Sequence, residues 1–113
     1  MFEIRSYHFE PARFEDYKVW AKTQAVPYIR TKMDVVGFWV SNGMEPEYGG
    51  SATRDENVSP ANVTWVIRWR DRAHRDEVWT AFRLDPNWVA ILARVPGGRP
   101  SYLRTEAKFA AAI

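Results

Sequence analysis

Residues 2 to 9 alternate in character: Phe2, Ile4, Ser6 and His8 share one parity, and Glu3, Arg5, Tyr7 and Phe9 share the other. A period of two predicts a β-strand with two different faces. From Pro11 to about Lys32 the period changes. Phe14, Tyr17, Ala21, Ala25, Tyr28 and Ile29 fall on one stripe at helical spacing, with Glu15, Asp16, Lys18 and Lys22 away from its centre. Pro11 suits a first helical turn, where its missing N–H goes unused anyway. Pro27 removes a helical hydrogen bond and crowds the preceding turn, so a kink or a new short helix is expected there.

The apolar run from Asp34 to Ser41 has strand length, and residues 42 to 61 are rich in Gly, Pro and polar side chains. A loop this long is unusual in a compact domain and is either functional or disordered. Asn62 to Trp69 reads as a third strand, with Val63, Trp65, Ile67 and Trp69 on one face. No helix separates it from the second strand, so the two are expected to pair as a hairpin. Asp71 is a suitable N-cap for a helix that carries Val78, Trp79 and Phe82 on its inner side. Asp85 and Pro86 restart the helix: Asp caps and Pro takes the first position. Trp88, Ile91, Leu92 and Val95 continue a stripe to Pro96-Gly97-Gly98, and Ser101 to Phe109 alternates again.

The order β-α-β-β-α-β predicts one α+β domain over residues 1–113, a four-stranded antiparallel sheet with helices on one face. Hydropathy assigns Phe2, Ile4, Trp65, Ile67, Trp69 and Leu103 to the layer under the helices. The opposite layer then holds Glu3, Arg5, Tyr7, Val66, Arg68, Tyr102, Arg104 and Glu106, with Phe38 and Val40 (or Val35 and Trp39) from the second strand. That layer is too aromatic for bare solvent and too charged for a dry core, and it predicts a surface facing a twin subunit.

Composition sharpens the picture in three ways. Six Trp in 113 residues exceed what so small a core needs, which points to a pocket wall or a subunit interface. The net charge is only +2 and both signs interleave, so no field favours nucleic acid or an anionic membrane. The absence of Cys excludes disulfides, a thiol nucleophile and thiolate metal sites. The start of the chain has no basic segment leading into an apolar run, and no apolar run has the length of a membrane span. The expectation is a cytoplasmic protein.

With its elements placed, the chain resembles the NIPSNAP family of dimeric α/β-barrel proteins. The likeness rests on Glu3-Ile4-Arg5-Ser6-Tyr7, on Tyr17 and Trp20, and on Gly37-Phe38-Trp39. It continues through Trp69-Arg70-Asp71 with Arg75 and through Asp85-Pro86-Asn87-Trp88. It implies a ferredoxin-like monomer and a homodimer in which two sheets stack into a barrel. It departs from the family pattern in the long hairpin between the second and third strands and in Pro11-Ala12-Arg13, where a Pro-Gly turn is common. The family's activity is poorly defined. The wider superfamily holds cofactor-free monooxygenases, isomerases, decarboxylases and haem enzymes, so the resemblance implies a fold and a dimer without choosing a reaction.

His8 and His74 are the only imidazoles, and thus the candidates for proton transfer near neutral pH. By alternation His8 is expected on the helix side; the ordinary alternative is that both are surface residues at element ends. Tyr7, Tyr17, Trp20, Trp39, Trp65 and Trp69 are candidates for an aromatic ligand pocket, set against plain core and interface packing. Arg5 is a candidate anion anchor. The charges Glu3, Arg5, Arg68, Arg104 and Glu106 read more simply as cross-strand ion pairs at a dimer interface. No metal motif, phosphate loop or GxSxG is present, and no cofactor is implied. RNA-recognition domains share this topology, but the aromatic platform they need on the open face is missing. The expectation is a dimer binding a small, partly apolar molecule between sheet and helices; whether it also catalyses is left open, with cofactor-independent oxygenation or isomerisation as the candidate chemistry. The alternative is a non-catalytic interaction module acting through its dimer surface and long loop.

Overall fold

A computed structural model describes residues 1–54 and 56–113. Strand β1 (Phe2–Phe9) leads into helices α1 (Phe14–Trp20) and α2 (Val26–Arg30), then β2 (Asp34–Val40) and β3 (Val63–Arg68). Helices α3 (Arg72–Leu84) and α4 (Pro86–Leu92) follow, and β4 (Tyr102–Ala110) closes the sheet. The strands run in the order β2-β3-β1-β4, every neighbour antiparallel, so β1 and β3 are central and β2 and β4 are edges. This is the α+β arrangement expected from the pattern and the ferredoxin-like fold that the resemblance implies, and β2 and β3 form the expected hairpin.

The expected break at Pro27 takes a specific form. Between α1 and α2 the helix widens into a π turn over Ala21–Ala25, in which the Val26 N–H reaches back to the Ala21 carbonyl. The chain passes through this wide turn and enters α2 with Pro27 in its first turn, where no N–H is required. Asp71 caps α3 through the His74 N–H at 2.8 Å. Asp85 caps α4 through the Asn87 N–H at 2.9 Å, and also accepts the Tyr28 hydroxyl. The Trp20 indole donates to the Ile91 carbonyl at 3.1 Å and ties α1 to α4.

The face assignment of β1 is reversed from the hydropathy reading. Glu3 pairs with Ile67, Arg5 with Trp65 and Tyr7 with Val63, so these residues share the helix-covered face. Glu3 and Phe9 are fully buried there, and Tyr7 nearly so. Phe2, Ile4, Ser6 and His8 look toward the uncovered face, where His8 donates from Nδ1 to the Ser59 carbonyl of the long loop. The reversal has a physical cause: Glu3 goes inward as a fully hydrogen-bonded counter-ion, so its charge does not drive that parity to water.

Strand β4 differs for another reason. His8 pairs with Arg104 but Phe9 pairs with Tyr102, so Leu103 is an extra residue in a bulge. The bulge lets Tyr102 join Phe9 in the core, while Arg104 and Glu106 stay on the uncovered face and Leu103 is exposed. The expected placement of Leu103 under the helices, and of Tyr102 in one layer with Arg104, is corrected accordingly. A second bulge sits in β2, where Val35 pairs with Ile67 and Gly37 with Val66, leaving Val36 over. Beyond it Phe38 faces the core beside Trp65, and Trp39 lies on the uncovered face above Gly37.

Candidate functional site

The helix-covered half of the sheet is organised around one carboxylate. Glu3 Oε1 accepts from Trp69 Nε1 at 3.0 Å, Trp79 Nε1 at 3.1 Å and Arg75 Nε at 3.0 Å. Its Oε2 accepts from Arg75 Nη2 at 2.9 Å and Arg5 Nη1 at 2.6 Å. Burial on its own would raise the Glu3 carboxyl. The hydrogen bonds and charges of Arg75 and Arg5 outweigh it and bring the pKa down to about 2. Glu3 is therefore an anion at physiological pH, and it holds Arg5 in place.

Arg5 in turn donates from Nε to the Tyr7 hydroxyl at 2.9 Å, and the Trp65 indole donates to the same oxygen at 3.0 Å. The Arg5 guanidinium lies 4.7 Å from the centre of the Trp79 ring. Burial works against its charge, but Tyr7 and Glu3 hold it above its ordinary range. Burial, helped by Tyr102 and Tyr7, pushes the Tyr17 hydroxyl far up; burial with Tyr7 does the same to Tyr102. Both remain neutral hydroxyls at physiological pH.

These side chains surround a cleft of about 390 Å³ between sheet and helices. Its size is at the small end for a ligand pocket, and its apolar walls with a few placed polar groups are the usual composition of one. Arg5, Tyr7, Tyr17, Trp20 and Trp65 of the sequence-predicted set line it, and Trp79, Trp88 and Tyr102 join them. Arg83 and Arg99 stand at its rim, and none of its described lining residues is Asp, Glu or His.

The remaining candidates lie elsewhere. Trp69 is buried behind the cleft with its indole on Glu3. Trp39 lines a separate, more open depression of about 530 Å³ beneath the long loop, together with Phe14, Lys18 and Pro46. His8 is bound to that loop on the uncovered face. His74 accepts the Arg70 N–H at 3.3 Å and packs edge-on against Trp69, outside the cleft. Of the expected ion-pair ladder, Arg68 meets Asp34 at 3.7 Å on the exposed face, while Glu3 and Arg5 pair in the interior. Among the described residues no three His, Asp or Glu side chains converge as metal ligands. Among these residues, too, no helix is long and apolar enough to cross a membrane.

The sequence reading missed Trp79, Trp88, Arg83 and Arg99 as cleft residues. One signal was present: Arg83 follows Trp79 by four residues on α3, a spacing that lays it over the indole, and its guanidinium lies 5.3 Å from the ring centre.

No family model matches the sequence, and no curated protein matches it either. Solved structures do. An uncharacterized NIPSNAP domain protein from Burkholderia xenovorans superposes with a TM-score of 0.72 at 18% identity, over 99% of this chain and 93% of that one. A NIPSNAP family protein from Agrobacterium tumefaciens superposes at 0.71 with 14% identity, over 95% of this chain and 80% of that one. A second Agrobacterium tumefaciens NIPSNAP family protein, of unknown function, gives 0.71 at 17% identity, over 95% and 82%. The resemblance read from the sequence is thus matched in three dimensions, and the chain has the fold of the NIPSNAP proteins.

Proposed function

We propose that the protein is a homodimer whose subunits each bind a small, partly apolar molecule in the cleft between sheet and helices. The observation that carries this is the cleft itself. Trp20, Trp65, Trp79 and Trp88 wall it, and the Glu3–Arg5–Tyr7 network sets polar groups at its base. A preformed apolar cavity with fixed donors is the usual architecture of a small-molecule site. Fixed donors and apolar walls carry binding as the reading, and no reaction is attached to it. His8 and His74 would reach a ligand there only if the elements carrying them moved.

The dimer reading rests on the uncovered face. Phe2, Ile4 and Val66 form an apolar strip on the central strands, and Trp39, 53% exposed, extends it toward one edge. Arg68 lies over Phe2 at 5.6 Å and Arg104, Glu106 and Lys108 flank the strip, a polar rim of the kind interfaces carry. Native mass spectrometry of the freshly purified protein tests both halves. The expected spectrum is a dimer carrying a small-molecule mass on each subunit. A bare monomer at micromolar concentration would overturn the reading.

A further inference from the structure

The charges around the cleft do not balance, and their excess defines what the cleft accepts. Glu3 is one negative charge shared by two guanidinium groups, Arg5 and Arg75. Asp76 takes the outer edge of Arg75 at 3.1 Å but is itself shared with Arg72 at 2.9 Å. With or without that outer pair, the cluster retains one positive charge. Arg83 and Arg99 add to it at the rim, neither in an ion pair among the described residues, and no acidic side chain of the described lining opposes them.

The hydrogen bonds point the same way. The Tyr7 oxygen already accepts from Arg5 and from Trp65, which occupies both of its lone pairs. Its O–H hydrogen must therefore go to an acceptor outside that pair, and Tyr7 borders the cleft. Arg5 spends Nη1 on Glu3 and Nε on Tyr7, which leaves Nη2 for the same acceptor. The aromatic rings around these donors suit a flat molecule.

We infer that the ligand of the cleft is a planar aromatic or similarly apolar molecule bearing one carboxylate. The carboxylate takes the Tyr7 hydroxyl and Arg5 as inner donors, with Arg83 and Arg99 drawing it in from the rim. One negative charge balances the single excess charge of the buried cluster; Arg83 and Arg99 are exposed at the rim, where solvent screens them, so the second charge of a phosphate monoester would find no buried partner. This rests on the small-molecule reading above and adds the charge and shape of the ligand.

The test is calorimetric titration of the full chain with 2-naphthoate, 2-naphthamide and 2-naphthyl phosphate. Naphthoate is expected to bind roughly tenfold or more tightly than the neutral amide, the worth of a charge-assisted hydrogen bond. Arg83→Gln and Arg99→Gln, both at exposed positions, should each weaken naphthoate about two- to fivefold more than they weaken the amide. Equal affinity for amide and acid would overturn the carboxylate inference while leaving an apolar binding site in place. Tighter binding of the phosphate would overturn the single-charge match. Failure of all three probes to bind would overturn the inference; the small-molecule reading itself falls only if native mass spectra also show a bare chain.

Discussion

Glu3 and Arg75 meet as a two-pronged pair between the central strand β1 and helix α3, with Arg75 Nε 3.0 Å from one carboxylate oxygen and Nη2 2.9 Å from the other. The pair locks α3 to the sheet and leaves the second oxygen's remaining capacity for Arg5. A carboxylate buried this completely is stabilising only while all its donors stay in place, because either partner alone would be an uncompensated interior charge. One interaction thus positions both a structural helix and the candidate ligand anchor.

Removing that charge should be costly. Glu3→Gln keeps the shape but leaves two guanidinium groups without their counter-charge, and breaking a buried pair in this way costs about 3–5 kcal/mol. Urea denaturation of the variant should show a loss of that size. A loss of less than about 1 kcal/mol, the range of a surface pair, would mean that the network contributes little.

Stability should also fall in acid, over a defined window. The folded Glu3 carboxyl sits at about 2 against an ordinary value of 4.5, so the unfolded chain takes up its proton first as pH drops. The stabilisation is complete above pH 4.5 and is lost as pH falls toward 2, worth about 3 kcal/mol at roughly 1.4 kcal/mol per unit. Thermal unfolding from pH 6 to pH 2 should show this limb in the natural protein and a much flatter one in Glu3→Gln. Parallel curves would rule Glu3 out as its source.

The Tyr7 hydroxyl is the shared acceptor of Arg5 and Trp65, so Tyr7→Phe leaves two donors unpaired in a nearly closed site. The expected destabilisation is about 1–3 kcal/mol, the cost of orphaned buried polar groups. Binding of 2-naphthoate should weaken in the same variant. A variant of unchanged stability would show that water replaces the hydroxyl at no cost.

Gly37 is informative about the other face. A Cβ at this position would stand 2.3 Å from the Trp39 ring, whose atoms occupy the space above the glycine. Gly37 is buried beneath that ring, but Trp39 is itself exposed and can swing away, so Gly37→Ala should cost the subunit about 1 kcal/mol, the low end of overpacking. It should also disturb the proposed dimer surface. Sedimentation velocity across a dilution series should show dissociation at a higher concentration than for the natural protein; identical profiles would separate Trp39 from the interface.

Much of this architecture was legible in the chain. The strand and helix periods, the caps at Asp71 and Asp85 and the interruption at Pro27 are local signals, and local chemistry decided them. The phase of β1 was not legible, because hydropathy sends Glu3 and Arg5 to water and cannot register that Trp69, Arg75 and Trp79 arrive from elsewhere to satisfy a buried carboxylate. Tyr7 and Phe9 share the parity of Glu3 and were the available hint. The phase of β4 was hidden for a different reason: the bulge at Leu103 moves Tyr102 to the face opposite the one simple alternation gives it. Of the candidate site, Arg5, Tyr7, Tyr17, Trp20 and Trp65 come together in space. Trp39, Trp69, His8 and His74 do not, since residue type alone carries no information on which of several surfaces a side chain lines.

The two bulges bear on the proposed dimer. They occur on β2 and β4, the two strands with unpaired backbone edges, and each interrupts the straight run of N–H and C=O groups that a foreign strand would need as a template. Each also presents an aliphatic side chain, Val36 or Leu103, outward at the break. Strand-by-strand growth into an extended sheet or fibril is thereby discouraged at both margins. The dimer proposed above uses the flat of the sheet instead, a mode of association that ends when two chains have covered each other.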